Sequence, residues 1–283
     1  MVKQCTIAKE ISCSGIGLHT GNMTRAVFKP APPGSWVKFV RKDMKNSPHI
    51  PALYDHVVGL VRGTSIGIKK AVVYTVEHLL STLCGLGIDN IEVELNNNEP
   101  PVFDGSADYF VKILQEAGIV EQDAEREYVT LSEPVIYRSG NGRHTVEISA
   151  YPADELKVDY KINYNHPIVG KQEVSIVVNR DTFIKELSLS RTYCFDYEIE
   201  KIKSLGLGKG GRLDNTLVIG IDRIHNPDKL RYDDELVRHK VLDFLGDIYL
   251  LGKPLKAHVV AKRSGHAHNI SFVKKIAAAH TKK

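Results

Sequence analysis

His239 and Asp243 stand four residues apart in the run Val237-Arg238-His239-Lys240-Val241-Leu242-Asp243. On a helix that spacing points an imidazole and a carboxylate the same way, enough to hold one side of a metal ion. Zinc in hydrolytic sites takes three protein ligands of N or O type and keeps a fourth position open, so one more ligand is required. The candidate lies far upstream, in Thr75-Val76-Glu77-His78-Leu79-Leu80. There His78 offers a nitrogen and Glu77 a carboxylate that can take a proton from an attacking water. Read alone, the upstream pair is also a helix-start histidine and a solvated first-turn acid. The second cluster weighs against that plainer reading, and the two segments together predict one hydrolytic centre.

The elements that must position these side chains repeat. Residues 75–87 have helical periodicity and end at glycines, and 88–95 alternates as a strand. After a polar loop to Ser106, residues 107–117 form an amphipathic helix. The same order recurs downstream, with a helix at 235–251, a strand at 255–261, a turn at Ser264-Gly265-His266 and a helix at 269–279. Strand-rich sequence precedes each helix pair, at 4–13, 25–40 and 51–68, then at 127–137, 144–151, 157–163 and 173–178. This predicts an α+β fold made by duplication, with two domains, 1–124 and 125–283, each a sheet plus two helices, joined near residues 122–126. If the halves pack helix face to helix face, His78 and His239 converge at the seam. Residues 192–226 break the pattern with a helical run (197–205), a glycine-dense turn (206–211) and a short strand (216–221). Such an interruption reads as an insert that carries function.

Bulk properties exclude some classes. The 283-residue chain carries a formal net charge of +4, mildly basic and suited to an anionic substrate, without the Lys/Arg stripes of a nucleic-acid binder. Four scattered cysteines without C-x-x-C spacing fit reduced thiols. No apolar run is long enough to span a membrane and the start lacks a signal-peptide core, so a cytoplasmic protein is expected. Gly206-Leu207-Gly208-Lys209-Gly210-Gly211 is neither a dinucleotide fingerprint, which needs a preceding strand, nor a Walker loop, which needs Ser or Thr after the lysine. It reads as a helix-ending loop able to approach a ligand closely.

The motifs Ser14-Gly15-Ile16-Gly17-Leu18-His19-Thr20-Gly21, Thr75-Val76-Glu77-His78-Leu79, Gly85-Leu86-Gly87-Ile88-Asp89-Asn90, Asp104-Gly105-Ser106-Ala107, Ser190-Arg191-Thr192-Tyr193, Arg238-His239-Lys240-Val241-Leu242-Asp243, Gly246-Asp247 and Ser264-Gly265-His266-Ala267 run in order along nearly the whole chain. Together they resemble the UDP-3-O-acyl-N-acetylglucosamine deacetylases of Gram-negative lipid A biosynthesis. The resemblance implies two α+β domains with helices packed between two outer sheets, a small insert in each domain and a metal site at the seam. It implies a single zinc held by His78, His239 and Asp243, with iron as a competitor at such N/O donors, and Glu77 as general base. His266 matches the acid or electrostatic stabiliser for the departing amine, and Asp247 is placed to hydrogen-bond it. Thr192 matches the residue whose hydroxyl stabilises the oxyanion. Lys240 is implied to face the nucleotide or sugar.

Substrate contacts follow in the same way. Tyr164 matches an aromatic that stacks on uracil, and Asn163 stands where an aspartate is usual, which changes the charge and donor pattern offered to the base. Ile199, Ile202, Leu205, Leu207 and Val218 match apolar positions where the family builds a passage for the 3-O-acyl chain, and Lys209 and Gly210 belong to the loop expected to approach the substrate closely. His19 and Asp104 read as a hairpin-turn histidine and a helix cap. The implied partner is a UDP-linked acylated glucosamine, met by a monomer with no nucleic acid, no transmembrane segment and at most transient membrane-surface contact. Rival readings are a deacetylase for another N-acetylated nucleotide sugar and a non-catalytic nucleotide-sugar binding module.

Overall fold

The computed structural model describes residues 2–142 and 145–280. The first half runs β1 (Lys3–Ile7), β2 (Ile11–Ile16), β3 (Met23–Pro30), β4 (Val37–Arg41), β5 (His49–Pro51), β6 (Val57–Gly59), β7 (Ser65–Ile68), β8 (Ala71–Val73), α1 (Glu77–Leu86), β9 (Ile91–Leu95), α2 (Asp108–Glu116) and β10 (Ile119–Glu125). The second runs β11 (Val129–Thr130), β12 (Val135–Ser139), β13 (Val146–Pro152), β14 (Leu156–Asn163), β15 (Lys171–Val177), α3 (Arg180–Thr182), β16 (Tyr193–Phe195), α4 (Ile199–Ser204), β17 (Leu217–Ile219), α5 (Glu235–Tyr249), β18 (Leu255–Lys262) and α6 (His266–His280).

The two main sheets share one topology. In the first the order is β2-β3-β9-β4-β5, in the second β12-β13-β18-β14-β15. In both, the strand after the first long helix is inserted antiparallel to one neighbour and parallel to the other, as in Phe28↔Val93 and Phe39↔Val93, and in Ile148↔Ala261 and Val158↔Val259. Alternation explains why one face of each is covered. Ile91, Val93 and Leu95 are buried with Glu92 and Glu94 between them, and Leu156, Val158, Tyr160 and Ile162 do the same in β14. Helices α1 and α5 pack on each other, with α2 beside α1 and α6 beside α5. Their side chains and the inner faces of both sheets form one continuous core, in which Leu79, Leu80, Leu83, Phe244, Leu245 and Ile248 are buried.

Residues 122–126, where the join is expected, are mostly strand, because β10 pairs with β1 as a two-stranded ribbon (Ile7↔Ile119, Cys5↔Glu121). Its run Glu121-Gln122-Asp123-Ala124-Glu125 holds four polar residues and a single small apolar one, so periodicity gave no strand signal. The strand-rich stretch 51–68 holds the end of β5, then β6 and β7, and with β8 the last two form a separate small sheet, β6-β7-β8. Finally, α6 begins at His266 itself rather than three residues later. His144, the first residue of the strand expected at 144–151, lies outside the described residues; Val146–Pro152 is strand.

Candidate metal and proton-transfer site at the helix seam

The crossing of α1 and α5 depends on a missing side chain. Gly246 on α5 lies against the backbone of Glu77, and a Cβ at 246 would overlap the Glu77 carbonyl oxygen. Only this close approach brings the first turn of α1 over the middle of α5. His78, His239 and Asp243 then meet, all three buried, with ligand atoms within 4.8 Å of one another. Nε2 of His239 lies 3.2 Å and Nε2 of His78 3.7 Å from Asp243 Oδ1.

Each ligand is oriented by its surroundings. His239 Nδ1 donates to the Ser190 carbonyl at 3.2 Å, which leaves Nε2 to face the cluster. Ser190 is held in turn because the next residue, Arg191, makes a buried ion pair with Glu235 in the first turn of α5, Nε to Oε1 at 2.8 Å. Burial and the neighbouring His239 push the His78 pKa down to about 3, so this imidazole is neutral. For Asp243 burial acts upward, but His239 and Lys240 prevail and hold the carboxyl well below its usual range. Two imidazole nitrogens and an ionised carboxylate oxygen in a dry seam suit a zinc-type cation.

Beside these donors sit two proton-transfer groups. Burial raises Glu77 to about 7, against the lowering effect of His266. Its Oε2 accepts from the Thr64 amide at 2.9 Å, and its Oε1 is 3.8 Å from His266 Nε2. Burial would depress His266, yet Asp247, Glu77 and Asp243 carry it up to about 9. The His266 Nδ1–H donates to Asp247 Oδ2 at 2.9 Å, so Nε2 points at the space between Glu77 and Asp243. Asp247 is fully buried and also accepts from Asn269 and Thr64. Lys240 donates to Asp243 Oδ2 at 2.7 Å and lies over the Tyr193 ring. Burial alone would lower its pKa, but Asp243 more than offsets this and the net shift is upward.

The remaining predicted residues distribute over two cavities. Thr192, Ile199, Ile202 and Val218 line one of about 280 Å³, together with His19 and Arg62 from the first half. Leu205, Leu207, Lys209 and Gly210 are not among its lining residues, Leu205 being exposed. Instead the loop docks on the turn at Gly17, with the Lys209 and Gly210 amides donating to the carbonyls of His19 and Leu18. A Cβ at Gly210 would overlap the Gly17 carbonyl, so this glycine serves a backbone contact. Tyr164 shares a hydrogen bond with Tyr193 through their hydroxyls at 3.0 Å and packs edge-on against Phe195. Asn163, exposed at the end of β14, belongs to the other cavity, about 620 Å³, with Lys161, Lys171, Lys262 and Arg263. Asp104 caps the turn before α2 by accepting from Ser106 and is paired to Arg231.

Sequence reading passed over Thr64, Arg62 and Asn269. The first lies in the Gly63-Thr64-Ser65 turn, where no spacing marks it, and only the packing of β7 under the helix seam gives it a partner.

Comparison with known proteins bears on the same residues. The family described as LpxC, UDP-3-O-acyl N-acetylglycosamine deacetylase, matches residues 4–278. The chain belongs to this deacetylase family. It is 42% identical over 275 residues to the UDP-3-O-acyl-N-acetylglucosamine deacetylase of Anaeromyxobacter sp. (strain Fw109-5), covering 97% of this chain and 88% of that protein. To the protein of the same name from Aquifex aeolicus (strain VF5) it is 40% identical over 272 residues, covering 96% and 92%. It is also 40% identical over 302 residues to the bifunctional enzyme LpxC/FabZ of Chlorobaculum tepidum, covering 98% of this chain but spanning only 64% of that longer protein. Both segments that meet at the α1–α5 crossing fall inside the family match.

Proposed function

We propose that this member of the deacetylase family hydrolyses the N-acetyl group of UDP-3-O-acyl-N-acetylglucosamine, releasing acetate, with a zinc ion held by His78, His239 and Asp243. The observation that carries the proposal is the convergence of this donor set with Glu77 and His266 in one buried seam. When bound there, zinc supplies a Lewis acid and lowers the pKa of water to about 7. Glu77, buried and fixed by the Thr64 amide, takes the proton of the attacking water. His266 keeps a proton on Nε2 for the departing amine, since its Nδ1–H is committed to Asp247. The Lys240 ammonium balances Asp243 and faces the sugar side. Thr192, between the Arg191 anchor and the start of β16, offers its hydroxyl to the developing oxyanion.

Substrate specificity follows from the two cavities. The acyl chain occupies the one lined by Ile199, Ile202 and Val218, with the loop of Leu207, Lys209 and Gly210 as its scaffold. The nucleotide lies toward Tyr164 and Asn163, where four cationic side chains line the neighbouring cavity and suit a diphosphate. A polar nucleotide sugar without an acyl chain would leave the first cavity without an occupant.

The protein acts as a cytoplasmic monomer of two domains that meets membrane surfaces only transiently, a contact for which Tyr197, Leu205, Leu213 and Ile221 of the insert are exposed. Among the described residues no helix is long and apolar enough to cross a membrane. The test is acetate release from the acylated substrate by wild type, Glu77→Ala and metal-stripped protein. Turnover that persists in both altered forms would sink the mechanism.

A further inference from the structure

We propose that Thr64 is a positioning residue for this reaction, fixing the general base and the histidine–aspartate pair relative to each other; the inference rests on the function proposed above. Thr64 is fully buried in the turn that enters β7, away from the metal donors in sequence but directly beneath both proton-transfer groups. Every polar group it has is engaged there. Its amide donates to Glu77 Oε2 at 2.9 Å and its carbonyl accepts from the Val76 amide at 3.1 Å, so its backbone grips the start of α1 on both sides of the turn. Its hydroxyl donates to Asp247 Oδ1 at 2.5 Å. The same oxygen lies 3.2 Å from His266 Nδ1, whose shorter bond, 2.9 Å, goes to Asp247 Oδ2.

A hydroxyl has one hydrogen and two lone pairs, and a carboxylate only accepts. The Thr64 hydrogen therefore goes to Asp247, and a lone pair faces the His266 N–H as the minor partner of a three-centre bond. Asp247 is held at both ends: Thr64 serves Oδ1, while His266 and Asn269 share Oδ2. Without the hydroxyl, Oδ1 loses this donor inside a dry seam, and the carboxylate is free to turn toward a new one. The His266 ring, bonded to the other oxygen, follows. Its Nε2 sits 3.8 Å from Glu77 Oε1, so a small tilt changes the gap in which base and acid must serve the same reacting carbon. Valine matches the branched shape and leaves the backbone grip on Glu77 intact; serine keeps the hydroxyl and drops only the methyl.

The experiment uses full-length, zinc-loaded protein and acetate release from UDP-3-O-acyl-N-acetylglucosamine, comparing Thr64→Val, Thr64→Ser, Asp247→Asn and the Thr64→Val/Asp247→Asn double variant, with bound zinc and Tm measured on each. Thr64→Val should lower kcat about 10- to 100-fold, the scale of a small misplacement of reacting groups, with KM and bound zinc held within about twofold. Thr64→Ser should recover to within about threefold of wild type, and the double variant should be no slower than Asp247→Asn, because the hydroxyl acts through that carboxylate. Wild-type kcat in Thr64→Val, an equal loss in Thr64→Ser, or losses that multiply in the double variant would each overturn the positioning role while leaving the deacetylase reading standing. A wild-type protein that releases no acetate would overturn both.

Discussion

The seam between α1 and α5 and the insert at residues 192–226 are built in opposite ways. At the seam the metal donors, Glu77 and Asp247 are buried, His266 and Lys240 are half-buried and ion-paired, and a single Cβ at Gly246 would force the helices apart. The insert is a short parallel strand pair and a helix of six residues, with Tyr197 71% and Ile221 67% exposed. It is tied to the first half by the Arg62–Glu198 ion pair and by the docked glycine loop. The contrast separates two tasks. Proton transfer and metal binding need geometry that tolerates no slack, whereas holding a flexible alkyl chain needs apolar area and little orientation.

That contrast can be broken most directly at the metal. Chelator-stripped protein should release acetate only at background rate and recover when zinc is returned, whereas the insert's fold, followed by Tyr197 fluorescence against a Tyr197→Leu control, should change little. Next in size, Glu77→Ala should lower kcat by about 10²- to 10⁴-fold, the usual worth of a general base. A loss smaller than tenfold would move the base elsewhere.

Gly246→Ala should cost about 1–3 kcal/mol through overpacking and reduce activity with it, read as a lower Tm and lower zinc occupancy. An unchanged Tm would mean that the helices separate more easily than their contact suggests. The pH profile sharpens the comparison further. Glu77 must have lost its proton and His266 must keep one, so kcat/KM should rise as Glu77 ionises and fall as His266 deprotonates, below the value of about 9 that it has without a cation, because the charge of zinc disfavours the imidazolium. The Glu77 limb, about 7 from burial without a cation, should shift downward once zinc is bound, because a positive charge favours the carboxylate. His266→Gln should remove the alkaline limb.

The smallest effect belongs to the insert. Ile199→Trp should slow turnover of a long-acyl substrate several-fold more than a short-acyl one, on the scale of a filled hydrophobic pocket. Equal losses on both would take the insert out of the acyl passage.

What the sequence made legible follows the same division. The His239/Asp243 spacing and the Glu77-His78 pair carry helical periodicity, so their shared direction could be read before any coordinates, and the repeated helix-strand-helix order implied that the two ends meet. Thr64 could not be read that way: its partners come from residues 76, 77, 247 and 266, and only the tertiary crossing selects it. Within the insert, Ile199 and Val218 reach a cavity while Leu207 of the same apolar composition does not line it, because which face a short loop-bound segment presents is set by docking on Gly17 rather than by a period. Strand β10 was missed for a simpler reason, its outward positions being as polar as a linker, whereas its partner β1 falls in the strand-rich stretch read at 4–13.

The shared sheet topology has a consequence for how the molecule is born. During synthesis the first half, with α1 and one ligand, leaves the ribosome before α5 has been made. His78 and Glu77 then lie on an uncovered helix face, and no third donor exists to close around a cation. Metal acquisition is therefore among the last events of maturation, and a nascent chain stalled before residue 235 should hold no zinc and have no catalytic power at all.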